Sequence, residues 1–138
     1  MKKIIHILLL ILWLLIIFHY SNENGYVSAT KSDTVTISII GDKSYFRSAT
    51  KVIRKLAHLS EFAILTYLLY ITINDYIIDR KYLYTLLLSY TCSILDEMHQ
   101  LFIRYRSGSF YDVSIDSLSI FITLSIIILI NKKKLNKI

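Results

Sequence analysis

The strongest constraint on this chain is a succession of four long apolar blocks, over residues 4–20, 52–73, 82–103 and 113–130, with polar or charged residues at their edges. A helix needs about 20 largely apolar residues to cross a bilayer. In lipid the backbone must satisfy its own hydrogen bonds, which selects helices when the chain offers long runs rather than alternating strands. The blocks contain no proline. The expected fold is therefore an all-α integral membrane bundle of about four transmembrane helices in a single domain over residues 1–138. Short connections join the later helices, and one longer polar loop, residues 21–50, follows the first.

The first block sits behind Lys2 and Lys3, and Tyr20 can extend it into the interface. A cleaved secretory signal is the alternative for this segment, because Lys-Lys, an apolar core and the small residues Val27-Ser28-Ala29 follow in the right order. Residues 21–50 are rich in Ser, Thr, Asn and Asp, with Gly25 and Gly41 as breakers. Within them TVTISII, residues 34–40, has β-branched residues in partial alternation, the pattern of a short strand or hairpin.

Composition narrows the function classes. A net charge of +6 would fit a nucleic-acid binder, but the 16 Lys and Arg lie at block edges rather than on one basic face. The partner they imply is the lipid bilayer. Cys92 is the single cysteine, so neither an intramolecular disulfide nor a thiolate metal cluster can form, and redox chemistry is not expected. No cofactor is expected either.

Charged residues inside the blocks carry the functional signal. The second block has Lys51, Arg54, Lys55, His58 and Glu61 in its first turns; the third ends with Asp96, Glu97, His99 and Gln100, then Arg104 and Arg106; the fourth opens with Asp112 and Asp116. Short links make neighbouring helices antiparallel. The start of the second, the end of the third and the start of the fourth then share one membrane face. The spacings Lys51-Arg54-His58-Glu61, Ser93-Glu97-Gln100-Arg104 and Asp112-Asp116-Ser119 each hold one helical stripe. An unpaired ionisable group at a helix centre costs about 2.5–3.5 kcal/mol on insertion scales, so these stripes should face one another or water.

The stretches RKLAHLSEF, residues 54–62, and LDEMHQLFIRYRSGSFYDVSID, residues 95–116, resemble the VanZ-like membrane protein family. That family is associated with resistance to the glycopeptide teicoplanin in Gram-positive bacteria. The resemblance implies ligand-binding roles for Lys55, His58, Glu61, Asp96, Glu97, Gln100, Arg106, Asp112 and Asp116. Ser117-Leu118-Ser119 stands where members commonly carry glycine, and Phe18-His19-Tyr20-Ser21 only loosely echoes the polar end of the family's first helix.

With both termini cytoplasmic, that side would hold Lys2, Lys3, Arg80, Lys81, Lys132, Lys133, Lys134 and Lys137, eight of the 16 bases. The count ties, but Lys2, Lys3 and the lysine tail abut helix ends, whereas several opposing bases belong to the polar cluster. Termini inside the plasma membrane of a multi-pass protein is the expected orientation, with the cluster at the outer face.

Two function classes stay open. One is a non-enzymatic binder or shield, whose Lys51, Arg54, Lys55, Arg104 and Arg106 hold phosphate or carboxylate groups of a lipid-linked envelope component or the drug. The other is an intramembrane enzyme acting on a substrate such as a phosphorylated polyprenol. There His58 would shuttle a proton, Glu61 orient it, Asp96, Glu97 and Asp116 act as base or metal ligands, and Arg106 stabilise negative charge. Neither Ser60 nor Ser93 has an evident activating neighbour in the sequence. Blander structural readings stand beside these. His58-Glu61 fits a structural pair, with Glu61 satisfied by Arg106 or Lys55, and the acids fit a salt-bridge ring with Arg104 and Arg106. Tyr76, Tyr82, Tyr84, Tyr105 and Tyr111 fit an interfacial belt. His58, Glu61, Glu97 and His99 are of metal-ligand type, but no tight ligand spacing is present and no metal is expected.

Overall fold

The computed structural model describes residues 1–40, 46–77, 79–106 and 109–135. Five helices make up its regular structure: α1 (Lys2–Ser21), α2 (Gly25–Ile40), α3 (Phe46–Asn74), α4 (Lys81–Gln100) and α5 (Phe110–Leu135). Helix α3 is the hub, packing against each of the other four. Among the described residues there is no strand.

Helix α1, residues Val52–Asn74 of α3 and residues Phe110–Lys134 of α5 are each long and apolar enough to cross a membrane. Helix α4 occupies the third expected block but is not apolar enough by composition alone. The reason is its inner face. Thr85, Ser89, Ser93, Glu97 and Gln100 are all buried against neighbouring helices, while Leu83, Leu87, Leu88 and Leu95 face outward. The helix is amphipathic with its polar stripe inside, as suits a protein whose solvent is lipid.

The apolar core lies mostly between α3 and α5. Phe62 and Leu65 meet Ile120, and Leu69, Ile73, Leu124 and Ile17 of α1 close around them. Helix direction is fixed by pins at both ends. At one end His6 meets Asp75 at 2.6 Å, and Asn131 Nδ2 donates to the Tyr70 and Tyr82 hydroxyls at 2.6 and 3.1 Å. At the other end Arg106 donates to the Tyr20 carbonyl, and Ser109 to Glu97. The threading is antiparallel through α3, α4 and α5, as the short links require.

Residues 21–50 depart from expectation. They hold helix α2 and the start of α3 rather than a loop, and the TVTISII segment is helical up to Ile40. The hydroxyls explain it: Ser32, Thr34, Thr36 and Ser38 each donate to the carbonyl four residues back, at 2.7–3.0 Å. Side chains that would otherwise compete with helix hydrogen bonding are absorbed into it. Gly41 and Lys137 lie outside the described residues, as does the Lys51 side chain. The other boundary correction is the end of α4. It stops at Gln100, and Arg104 lies in the turn that follows.

Candidate functional site

The polar end of the bundle holds a cavity of about 320 Å³ between the end of α1, helix α2, the first turns of α3 and the end of α4. Arg54, His58 and Glu61 reach it from α3, because their 4- and 3-residue steps keep them on one stripe. Asp96 and Gln100 reach it from α4, and Arg106 from the turn beyond. Helix α2 adds Lys31, and the α1–α2 turn adds Glu23, which is ion-paired with Lys31. These last two were not legible as site residues, since their segment had no motif and read as a loop.

The cations divide into paired and unpaired. Lys55 lies 3.9 Å from Asp112 and 3.8 Å above the centre of the Tyr111 ring. Arg54 and Arg106 have no carboxylate within 4 Å among the described residues. Arg106 Nη2 donates to the Tyr20 carbonyl at 2.7 Å, while its buried Nε has no hydrogen-bond partner. Burial first, and then the nearby Arg54 guanidinium, draw the Arg106 pKa below its ordinary value. A guanidinium starts so far above neutrality that it stays charged.

The salt-bridge ring does not form. Arg104 is exposed, and neither arginine of the turn lies within 4 Å of Asp96, Glu97, Asp112 or Asp116 among the described residues. Helix α4 ends before Arg104, which takes that residue off the stripe, and Arg106 turns towards α1. Glu61 is not paired with Lys55 or Arg106. The ionisable group it meets within 4 Å, among the described residues, is His58, with Nδ1 3.7 Å from Oε2, too long for a hydrogen bond. Asp96 accepts from Gln100 Nε2 at 2.7 Å.

A second set of acids, not among the cavity's lining residues, is enclosed. Asp116 is fully buried, and its Oδ2 accepts from Ser93 Oγ at 2.9 Å. Glu97 is 5% exposed, and its Oε2 accepts from the Ser109 backbone N–H at 2.8 Å. His58 stands beside both. His99, by contrast, stacks on Phe18 with ring centres 5.1 Å apart, away from this group. Ser60 donates to the Leu56 carbonyl, which supplies no base, whereas Ser93 donates to the Asp116 carboxylate, a base-type neighbour that was not evident in the sequence.

The arrangement therefore brings His58, Glu61, Asp96, Glu97, Gln100, Arg106 and Asp116 to one end of the bundle, with Lys55 and Asp112 paired at its edge. The sequence model of the VanZ/LLP1 family matches residues 6–131. The chain belongs to the VanZ/LLP1 family. The match takes in α1 to α5 and so covers every residue of the polar end. No curated protein and no solved structure matches the chain.

In this VanZ/LLP1 protein the Ser117-Leu118-Ser119 stretch after Asp116 has a defined contact at its last residue. Ser119 is 2% exposed and donates to the Leu59 carbonyl of α3 at 2.5 Å. A small hydroxyl residue there allows close approach of α5 to α3 and adds a hydrogen bond that glycine could not make.

Proposed function

We propose that this membrane protein is a four-span, outer-face binder of an anionic lipid-linked envelope component, held by its phosphate in the cavity at the polar end. The observation that carries the reading is that Arg54 and Arg106 both line the cavity with no carboxylate within 4 Å of either among the described residues. Buried or half-buried cations are normally ion-paired, and planar guanidinium donors match phosphate oxygens in bidentate geometry. Lys55, His58, Glu61, Asp96, Gln100 and Asp112 shape and orient the site in this reading. The exposed apolar outer faces of α1, α4 and α5 would admit an acyl or polyprenyl tail beside it. Protection against teicoplanin-type glycopeptides, through altered access to such a component, is the phenotype proposed from the family resemblance.

The test is lipid mass spectrometry of the protein purified in mild detergent. An anionic phospholipid or polyprenyl phosphate is expected to co-purify with the wild type. Arg54→Gln and Arg106→Gln should each reduce its recovery about tenfold, the loss of one charge-assisted contact. Equal recovery from both variants would overturn the reading.

The cluster of His58 with Glu97 and Asp116 favours a second reading, an intramembrane enzyme acting on the same class of lipid-linked phosphate. The lipid composition of membranes with and without the protein separates the two. Conversion of an envelope precursor marks catalysis, and an unchanged lipid pool with altered drug binding marks shielding.

A further inference from the structure

We infer that His58, Glu97 and Asp116 form a binding site for one divalent transition-metal ion, of the class of Zn²⁺ or Mn²⁺, inside the polar end of the bundle. The three side chains come from α3, α4 and α5, and one ligand atom from each lies within 4.8 Å of the other two.

Three independent features favour a cation over a purely structural cluster. First, each residue is left one atom short of satisfaction. Asp116 Oδ1, Glu97 Oε1 and His58 Nδ1 are buried without a hydrogen-bond partner. Buried polar atoms are rarely left so, and here three coincide. Secondly, the other oxygen of each carboxylate is already anchored, Asp116 Oδ2 by Ser93 and Glu97 Oε2 by the Ser109 N–H. Outer partners of this kind fix metal-ligating side chains in orientation and leave the free oxygen for the ion. Thirdly, neither acid has a cationic partner within 4 Å among the described residues. Two carboxylates and a neutral imidazole around a divalent ion sum to no net charge, which suits a site enclosed by helices in lipid.

Ligand chemistry narrows the metal. One imidazole nitrogen and two carboxylate oxygens suit the borderline Zn²⁺, and the carboxylates also suit the harder Mn²⁺, whereas Mg²⁺ and Ca²⁺ prefer all-oxygen shells. Bonds of about 2.0–2.2 Å bring ligand atoms to roughly 3.4 Å of one another in a tetrahedral shell, so the widest separation must contract by somewhat over 1 Å. The three-torsion Glu97 side chain can supply that movement. Three protein ligands leave a fourth position for water or an anion. His58 also lines the Arg54–Arg106 cavity, whereas Glu97 and Asp116 do not, so the metal inference stands without the anionic-lipid reading.

The experiment uses the full chain in detergent, purified through a tag without histidine, stripped with chelator and dialysed. Co²⁺ titration followed by visible absorption, with metal content by mass spectrometry, is expected to give one equivalent per chain, displaced by Zn²⁺. Glu97→Gln and Asp116→Asn should each weaken Co²⁺ binding at least tenfold, while His19→Ala and His6→Ala should leave it as in wild type. Where a carboxylate variant fails to give a monodisperse folded protein, His58→Asn and the metal-dependent rise in wild-type Tm supply the same information. Less than one equivalent in the wild type overturns the site, as does binding that survives both carboxylate variants or is lost with His19→Ala.

Discussion

At Ser119 the spacing between α5 and α3 is set by a single side chain. Its Oγ bonds the Leu59 carbonyl, and the residue is almost wholly enclosed. Two substitutions separate what the hydroxyl and the small volume contribute. Ser119→Ala removes one interhelical hydrogen bond and should lower stability by about 0.5–1 kcal/mol, in line with such bonds in membrane bundles. Ser119→Leu keeps the helix propensity but forces three extra carbon atoms into the contact, and should cost about 1–3 kcal/mol or more through overpacking. Thermal unfolding in detergent, read by circular dichroism, checks both. An alanine variant that falls further than the leucine variant would show that the hydrogen bond, not the close approach, governs this position. Asp116 sits one helical turn before Ser119, so the same close contact also holds the α5 acid against Ser93.

Helix α2 is held at its start by a close backbone approach. Gly25 N–H donates to the Arg104 carbonyl at 3.1 Å, and a Cβ on Gly25 would run into the carbonyl of Tyr105. Tyr105 itself has φ 60°, the left-handed region, so the turn after α4 has little freedom to move away. Gly25→Ala should therefore loosen α2 from the turn while leaving the α3–α5 core intact. The expected outcome is faster trypsin cleavage after the exposed Lys31, with the main thermal transition unchanged within about 0.5 kcal/mol, as for a site outside the core. Unchanged cleavage would mean that α2 is held from elsewhere. This element is also where sequence reasoning was weakest. Helices α3, α4 and α5 were legible, because long apolar runs admit few structures in lipid and the polar stripes mark their inner faces. In α2 the β-branched, hydroxyl-rich TVTISII segment carries a strand-like local preference, which the i−4 hydroxyl bonds and packing against α3 override. Thr50 illustrates that packing, donating from α3 to Asp33 of α2 at 3.0 Å. The meeting of His58, Glu97 and Asp116 was legible only as a shared end of the bundle, since which stripe residues touch depends on helix rotation.

On the scale of the whole molecule, the sharing of one polar end by α1, α3, α4 and α5 depends on α4 crossing the same thickness as the other three. Counted alone, α4 falls short of the apolar content of a span, yet its polar atoms face α3 and α5 and its outer surface is leucine-rich. Its 20 residues give about 30 Å of helix, the thickness of a bilayer's hydrocarbon core. At the end opposite the cavity, Lys2 and Lys3, Arg80 and Lys81, and Lys132, Lys133 and Lys134 collect around the His6–Asp75 and Asn131–Tyr70 contacts. Lys3 lies 4.9 Å above the Tyr76 ring, a cation on an interfacial aromatic. In the proposed orientation this basic end lies at the cytoplasmic surface and the cavity outside. Single cysteines introduced into a Cys92→Ala background test crossing and orientation together. Ser28→Cys in α2 and Tyr105→Cys in the turn after α4 should react with an impermeant maleimide in intact cells, whereas Asp79→Cys and Lys133→Cys should react only after permeabilisation. If Asp79→Cys and Tyr105→Cys label from the same side, α4 does not cross, and α3 and α5 would then run antiparallel through the bilayer, with their first turns at opposite faces. That outcome would break the antiparallel threading on which the joining of His58, Glu97 and Asp116 depends.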